Sequence, residues 1–166
     1  RAMRYLGRAN PAYFQDALKA YDEASRSDPT WAEPYVLIGT LFLEKYDSPA
    51  AKEEFQTVLG ENPNHPGALL GMAESLTFDG ASEANDYFER LLDVNPVHER
   101  AHALIAMRYL RGENHGDARE AAQTSLDTNP NSLAALTAIA GSHLLLDDLA
   151  SFRRVRAPVL DLNPHY

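Results

Sequence analysis

Apolar residues recur at helical spacing along almost the whole chain, in stretches of helical length separated by polar clusters rich in Pro, Gly, Asn and Asp. The clusters are of two alternating kinds. One is the dipeptide Asp28-Pro29, repeated as Asn62-Pro63, Asn95-Pro96, Asn129-Pro130 and Asn163-Pro164, with prolines 34, 33, 34 and 34 residues apart. A proline drives the residue before it out of the α region, and Asn or Asp tolerates the resulting turn, so each dipeptide is a helix stop. The other kind falls midway, at "YDSP", "FDGAS", "GENHGD" and "LDD". Each period is therefore predicted to be a pair of helices, with repeats of roughly 1–31, 32–65, 66–98, 99–132 and 133–166.

Several helix starts carry recognisable caps. Asn10 before Pro11 and Ser48 before Pro49 place a side-chain acceptor ahead of a first-turn proline. Thr30 and Glu33 have capping-box spacing. Pro158 falls inside the last predicted helix, where the loss of one backbone bond predicts a kink costing roughly 3 kcal/mol.

A helix pair every 34 residues, closed by proline, resembles the tetratricopeptide repeat, with its pattern W-x2-L-G-x2-Y, A-x3-F and P. The second repeat carries Tyr35, Ile38, Gly39, Phe42, Ala51, Phe55 and Pro63 in these slots. The third carries Leu69, Met72, Ala73, Leu76, Ala84, Phe88 and Pro96, with one residue fewer in its inner turn. The fourth carries His102, Ile105, Ala106, Tyr109, Ala118, Ala122 and Pro130. The fifth keeps Leu136, Ile139, Ala140 and His143, then departs at Phe152 and Arg156, while the first keeps only Ala17, Tyr21 and Pro29. The resemblance covers the whole chain. It implies one all-α domain over 1–166, a helix-turn-helix solenoid wound as a right-handed superhelix with first helices lining the concave side. One pair cannot bury its apolar stripe alone, so neighbours must stack.

Charge narrows the partners. With 15 Lys and Arg against 24 Asp and Glu, the net charge is −9, which disfavours nucleic acid and anionic membrane. No apolar run approaches the ~20 residues of a membrane helix, so membrane insertion is not expected. Cysteine is absent, which removes disulfides and thiolate metal sites. The chain starts at Arg1 and reads as a fragment of a longer protein, and its last helix, with Val155, Val159, Leu160 and Leu162, leaves that end open to self-association.

One stretch has the spacing of a zinc hydrolase. In "HERAH" His98 and His102 stand four apart with Glu99 between, as in H-E-x-x-H. A zinc site needs both histidines on a formed helix and a third ligand from elsewhere. His98 instead falls two residues after Pro96, at or before a helix start, and His102 falls in the large packing slot. Glu120, the nearest carboxylate downstream, is in a solvent-facing register. His143 reads as a core or rim imidazole, and His115 and His165 as turn residues. No catalytic constellation, cofactor motif or metal site emerges; His98 and His102 stay as the candidate ligands of a zinc-hydrolase alternative.

Function then rests on a surface. By resemblance, the stripe facing the groove contains Val36, Thr40, Leu43 and Glu44 in the second repeat and Leu70, Glu74, Thr77 and Phe78 in the third. Met107, Leu110 and Arg111 continue it in the fourth, and Thr137 and Leu144 in the fifth. The Lys and Asn donors of a carboxylate-holding clamp are missing, so the expected partner is a protein or peptide segment with apolar anchors. Bacterial chains of this type often join such repeats to a catalytic or membrane-linked region, so a targeting or spacer module of a larger enzyme is the alternative.

Overall fold

The computed structural model describes residues 11–163, and every regular element among them is an α-helix. The chain groups into two compact units, Arg1–Val94 and Asn95–Tyr166. The first contains α1 (Pro11–Ser27), α2 (Ala32–Glu44), α3 (Ser48–Glu61), α4 (Pro66–Phe78) and α5 (Ala84–Val94). The second contains α6 (Glu99–Arg111), α7 (His115–Thr128), α8 (Leu133–Leu145) and α9 (Leu149–Leu162). Within each unit a helix packs on the next, and first helices also touch across a repeat, α2 on α4 and α6 on α8.

The two kinds of turn have distinct chemistry, each set by a few atoms. At the junctions between repeats, Asp28, Asn62, Asn95 and Asn129 each accept the backbone N–H two residues on through Oδ1. Their main-chain carbonyls take the N–H three residues on, from Trp31, His65, His98 and Ser132. The proline between supplies the fixed φ of the turn. At Asp28 the Thr30 hydroxyl adds a second bond at 2.7 Å. That bond, with the backbone bond from Thr30, holds the Asp28 carboxyl below its usual range.

The inner turns are Schellman motifs. The N–H groups of Asp47, Ala81, Asn114 and Asp148 reach back to the carbonyls of Phe42, Leu76, Tyr109 and His143, closing over a left-handed residue. That residue is Tyr46, Gly80, Glu113 or Asp147, with φ between 58° and 75°. The shortened third repeat keeps its motif and absorbs the missing residue afterwards. Asn85 and Asp86 donate to the carbonyls three residues back, and the α-helix begins only at Ala84.

Two of the expected caps are reassigned by these turns. Thr30 spends its hydroxyl on Asp28, and α2 starts from Trp31 with no side-chain cap, so Thr30 and Glu33 form no capping box. Ser48 lies inside α3, whose cap is Asp47, accepting from Ala50 N at 3.2 Å. Freed from capping, the buried Ser48 hydroxyl donates to Asp79 Oδ2 at 2.9 Å. The Asn10 cap lies outside the described residues, as does His165. His115 opens α7 rather than lying in a turn, and α9 runs through Pro158.

The cores of the units fill the same slots differently. In unit 1 the buried ring of Phe55 packs with Ala51, Val58, Ala68 and Met72. In unit 2 the corresponding core is Ala103, Ala106, Ala122, Ala135 and Ala138. Polar ties reinforce both. Lys52 Nζ reaches Asp79 Oδ2 at 2.7 Å, and Arg119 donates to the buried Ser142 hydroxyl at 2.6 Å. Each tie places a cation from a second helix at the C-terminal end of the next first helix, where the helix dipole favours it.

Candidate functional site

The histidines of "HERAH" are held by the junction that precedes α6. His98 is the N-cap, and its Nδ1 accepts from Ala101 N at 3.2 Å. An accepting Nδ1 carries no proton, so this ring is neutral with its proton on Nε2. Burial, the largest influence, pushes the His98 pKa below the ordinary histidine value and so favours that neutral form. His102 Nε2 lies 2.8 Å from the Pro96 carbonyl, a bond in which the nitrogen must donate. Glu99 faces Ser125, whose Oγ lies 3.5 Å from its Oε1. His65 repeats the role of His98, accepting from Ala68 N through Nδ1 at 3.3 Å at the start of α4. The motif is thus built by capping geometry shared with a histidine that has no H-E-x-x-H partner. Among the described residues, no three His, Asp or Glu side chains converge in a way that could hold a metal ion.

The first helices of unit 1 expose a mixed face. Val36, on the open stripe by register, is 8% exposed and belongs to the core. The cause is Gly67, where a Cβ would come 3.2 Å from Val36 Cγ1, so the absence of one lets the helices close over this side chain. Thr40 returns its hydroxyl to the Val36 carbonyl at 2.7 Å. Leu43, Glu44, Leu70, Glu74 and Thr77 are partly exposed. Phe78 is 55% exposed and meets Tyr46, 77% exposed, with ring centroids 5.9 Å apart. Leu43, Glu44, Lys45 and Tyr46 line an open cavity of about 520 Å³ beside them. Repeat register did not single out Tyr46. The available signal was an aromatic residue in an inner turn where Gly, Glu and Asp stand in the other repeats.

Unit 2 carries its own part of the stripe. Met107, Leu110 and Thr137 are partly exposed, Arg111 is exposed and Leu144 is 48% exposed. Leu110 leans onto α8 at Gly141, where a Cβ would fall 2.8 Å from its Cδ2. Thr137 returns its hydroxyl to the Leu133 carbonyl. Exposed Leu145, Leu146 and Leu149 follow Leu144 around the inner turn. His143 is half-buried, its Nδ1 3.2 Å from the cap residue Asp148.

Comparison with known proteins places this geometry in a class. The Tetratricopeptide repeat family matches residues 78–132. TTC0263, a thermophilic TPR protein of Thermus thermophilus, is similar over 99% of this chain and 91% of its own, with TM-score 0.75 and 18% identity. MamA from Desulfovibrio magneticus RS-1 is similar over 99% of this chain and 93% of its own, with TM-score 0.70 and 21% identity. YrrB, a TPR protein with an unusual peptide-binding site, is similar over 98% and 84%, with TM-score 0.63 and 16% identity. No curated protein matches the sequence. The chain thus has the all-helical fold of a tetratricopeptide-repeat solenoid along its length, and its residues 78–132 match the repeat family by sequence. No helix among the described residues is long and apolar enough to cross a membrane.

Proposed function

We propose that this chain is a non-catalytic protein-interaction scaffold whose first-helix faces take an extended or helical protein segment with apolar anchors. The observation that carries the proposal is the exposed pair Tyr46 and Phe78, set beside the partly exposed Leu43 and Leu70. Two neighbouring rings left in water after the core is filled offer a contact that buries a large apolar area on binding. Met107, Leu110 and Leu144 are the corresponding anchors of unit 2. The peptide-binding site for which YrrB is named is in keeping with such a role on this fold.

Peptides selected on the wild-type protein from a random phage-displayed library supply the test. The double variant Leu70→Glu, Phe78→Glu is expected to keep its helical circular dichroism and to lose binding of peptides that compete with one another for the wild type. Undiminished binding of every selected peptide would remove the first-helix face of unit 1 from the site.

A further inference from the structure

A second cavity of unit 1 lies against the second helices α1 and α3 and is unrelated to the first-helix stripe. Its volume is about 350 Å³. Leu18, Ile38 and Phe42 give it apolar lining, and Lys19, Asp22 and Glu54 its charges. Two of the three charged groups are already engaged. Asp22 Oδ2 holds Arg26 at 2.8 Å, and Lys19 Nζ is turned to Glu23 at 3.9 Å. Glu54 is different: it is half-buried, and no donor among the described residues bonds or pairs with it.

The electrostatic setting agrees with that geometry. Burial first, then the charges of Glu53 and Asp22, push the Glu54 carboxyl above its usual range, with no cation acting the other way. A carboxylate so placed is costly until a positive group arrives to share its desolvated site. The apolar lining specifies what that group is attached to. A long aliphatic stem would cover Leu18, Ile38 and Phe42 while its charged tip reached the rim, the habit of Arg and Lys side chains at mixed surfaces. A guanidinium suits the site better than an ammonium, being less strongly hydrated, matching a carboxylate with two parallel donors and lying well on an aromatic face such as Phe42. The net charge of −9 draws basic partners towards the surface.

We infer that this cavity is an arginine pocket, receiving one arginine side chain of a protein partner with its stem on Leu18, Ile38 and Phe42 and its guanidinium on Glu54. The pocket does not depend on the first-helix face, so either site can fail alone.

The test uses n-butylguanidinium as probe, n-butylurea as its neutral isostere and n-butylammonium as the lysine analogue, each titrated while methyl NMR signals of Leu18 and Ile38 are followed. Saturable shifts with butylguanidinium, absent with butylurea, are expected. Glu54→Gln should weaken binding at least about fivefold, the loss suited to a partly exposed ion pair. Glu53→Gln, which changes charge without touching the cavity, should leave it nearly unchanged. Equal binding of butylurea, equal loss in both variants or no loss in Glu54→Gln would overturn the pocket. Preference for butylammonium would overturn its assignment to arginine. The thermal midpoint of Glu54→Gln, which removes an uncompensated charge, verifies that the variant is folded.

Discussion

The ring of Phe55 is enclosed by Gly39 on one first helix and Gly71 on the next. A Cβ at Gly39 would stand 2.7 Å from Phe55 Cε1, and one at Gly71 would be closer still to the same ring. Three helices meet through one aromatic side chain and two missing methyl groups. In unit 2 the same slots hold Ala106, Ala122 and Ala138, so the volume taken from the aromatic position is returned to its flanks. Gly71→Ala is expected to destabilise by about 1–3 kcal/mol through overpacking, and Phe55→Ala by about 3–5 kcal/mol through the cavity it leaves. The triple variant Gly39→Ala, Phe55→Ala, Gly71→Ala, which copies unit 2, should recover part of the Phe55→Ala loss. Urea unfolding midpoints compare the three, and a triple variant weaker than Phe55→Ala alone would refute the exchange of volumes.

The histidine cap makes stability pH-dependent at one junction. His98 has its pKa lowered in the fold, so the folded chain binds fewer protons there than the unfolded chain. Its contribution is therefore complete above the ordinary histidine value of 6.5 and is lost as pH falls through the lowered folded value. His98→Asn keeps an acceptor for Ala101 N and should flatten this dependence, while His98→Ala should cost about 1 kcal/mol at neutral pH. Thermal midpoints of the three proteins across pH 4 to about 8 distinguish them.

Glu54 has the opposite sign. Its pKa is raised in the fold, so the unfolded chain ionises first and the group destabilises the fold once pH passes the ordinary carboxylate value of 4.5. Glu54→Gln is expected to raise the melting temperature at neutral pH and to lose that advantage in acid. A lower melting temperature at neutral pH would point to a favourable partner for the carboxylate.

Glu113 stands in the left-handed region at φ 58°, where the third repeat has Gly80 at φ 75°. A side chain there is strained and glycine is not. Glu113→Gly should therefore stabilise by up to about 1 kcal/mol, and Gly80→Ala should destabilise by a similar amount, both read from urea midpoints.

Legibility in the sequence followed the range of each interaction. The junctions were plain because one Asn or Asp and one Pro contain the whole turn, down to the side-chain bond two residues on. Gly39 and Phe55 could be placed by repeat slot, yet Gly71 could not, because its role is set by a ring in the preceding repeat. Ser48 looked like a cap for the same reason: its actual acceptor, Asp79, lies 31 positions away. Register grouped Val36 and Phe78 on one stripe but carried no information on depth, since Gly67 closes over one and Tyr46 stands next to the other. Glu54 carried no motif at all; only three helices together make its cavity.

The enclosure of Phe55 also limits how such a gene can be shuffled. A crossover placed at the repeating Asn-Pro dipeptide would preserve every turn, yet it would cut between Phe55 and Gly71, which lie on opposite sides of Asn62-Pro63. The sequence is written in periods that end at proline, whereas its packing is inherited in overlapping windows from one first helix through the next. A recombinant that joined the first two repeats here directly to the fifth would press the Phe55 ring against the methyl group of Ala138, with its backbone turns intact and its interior mismatched.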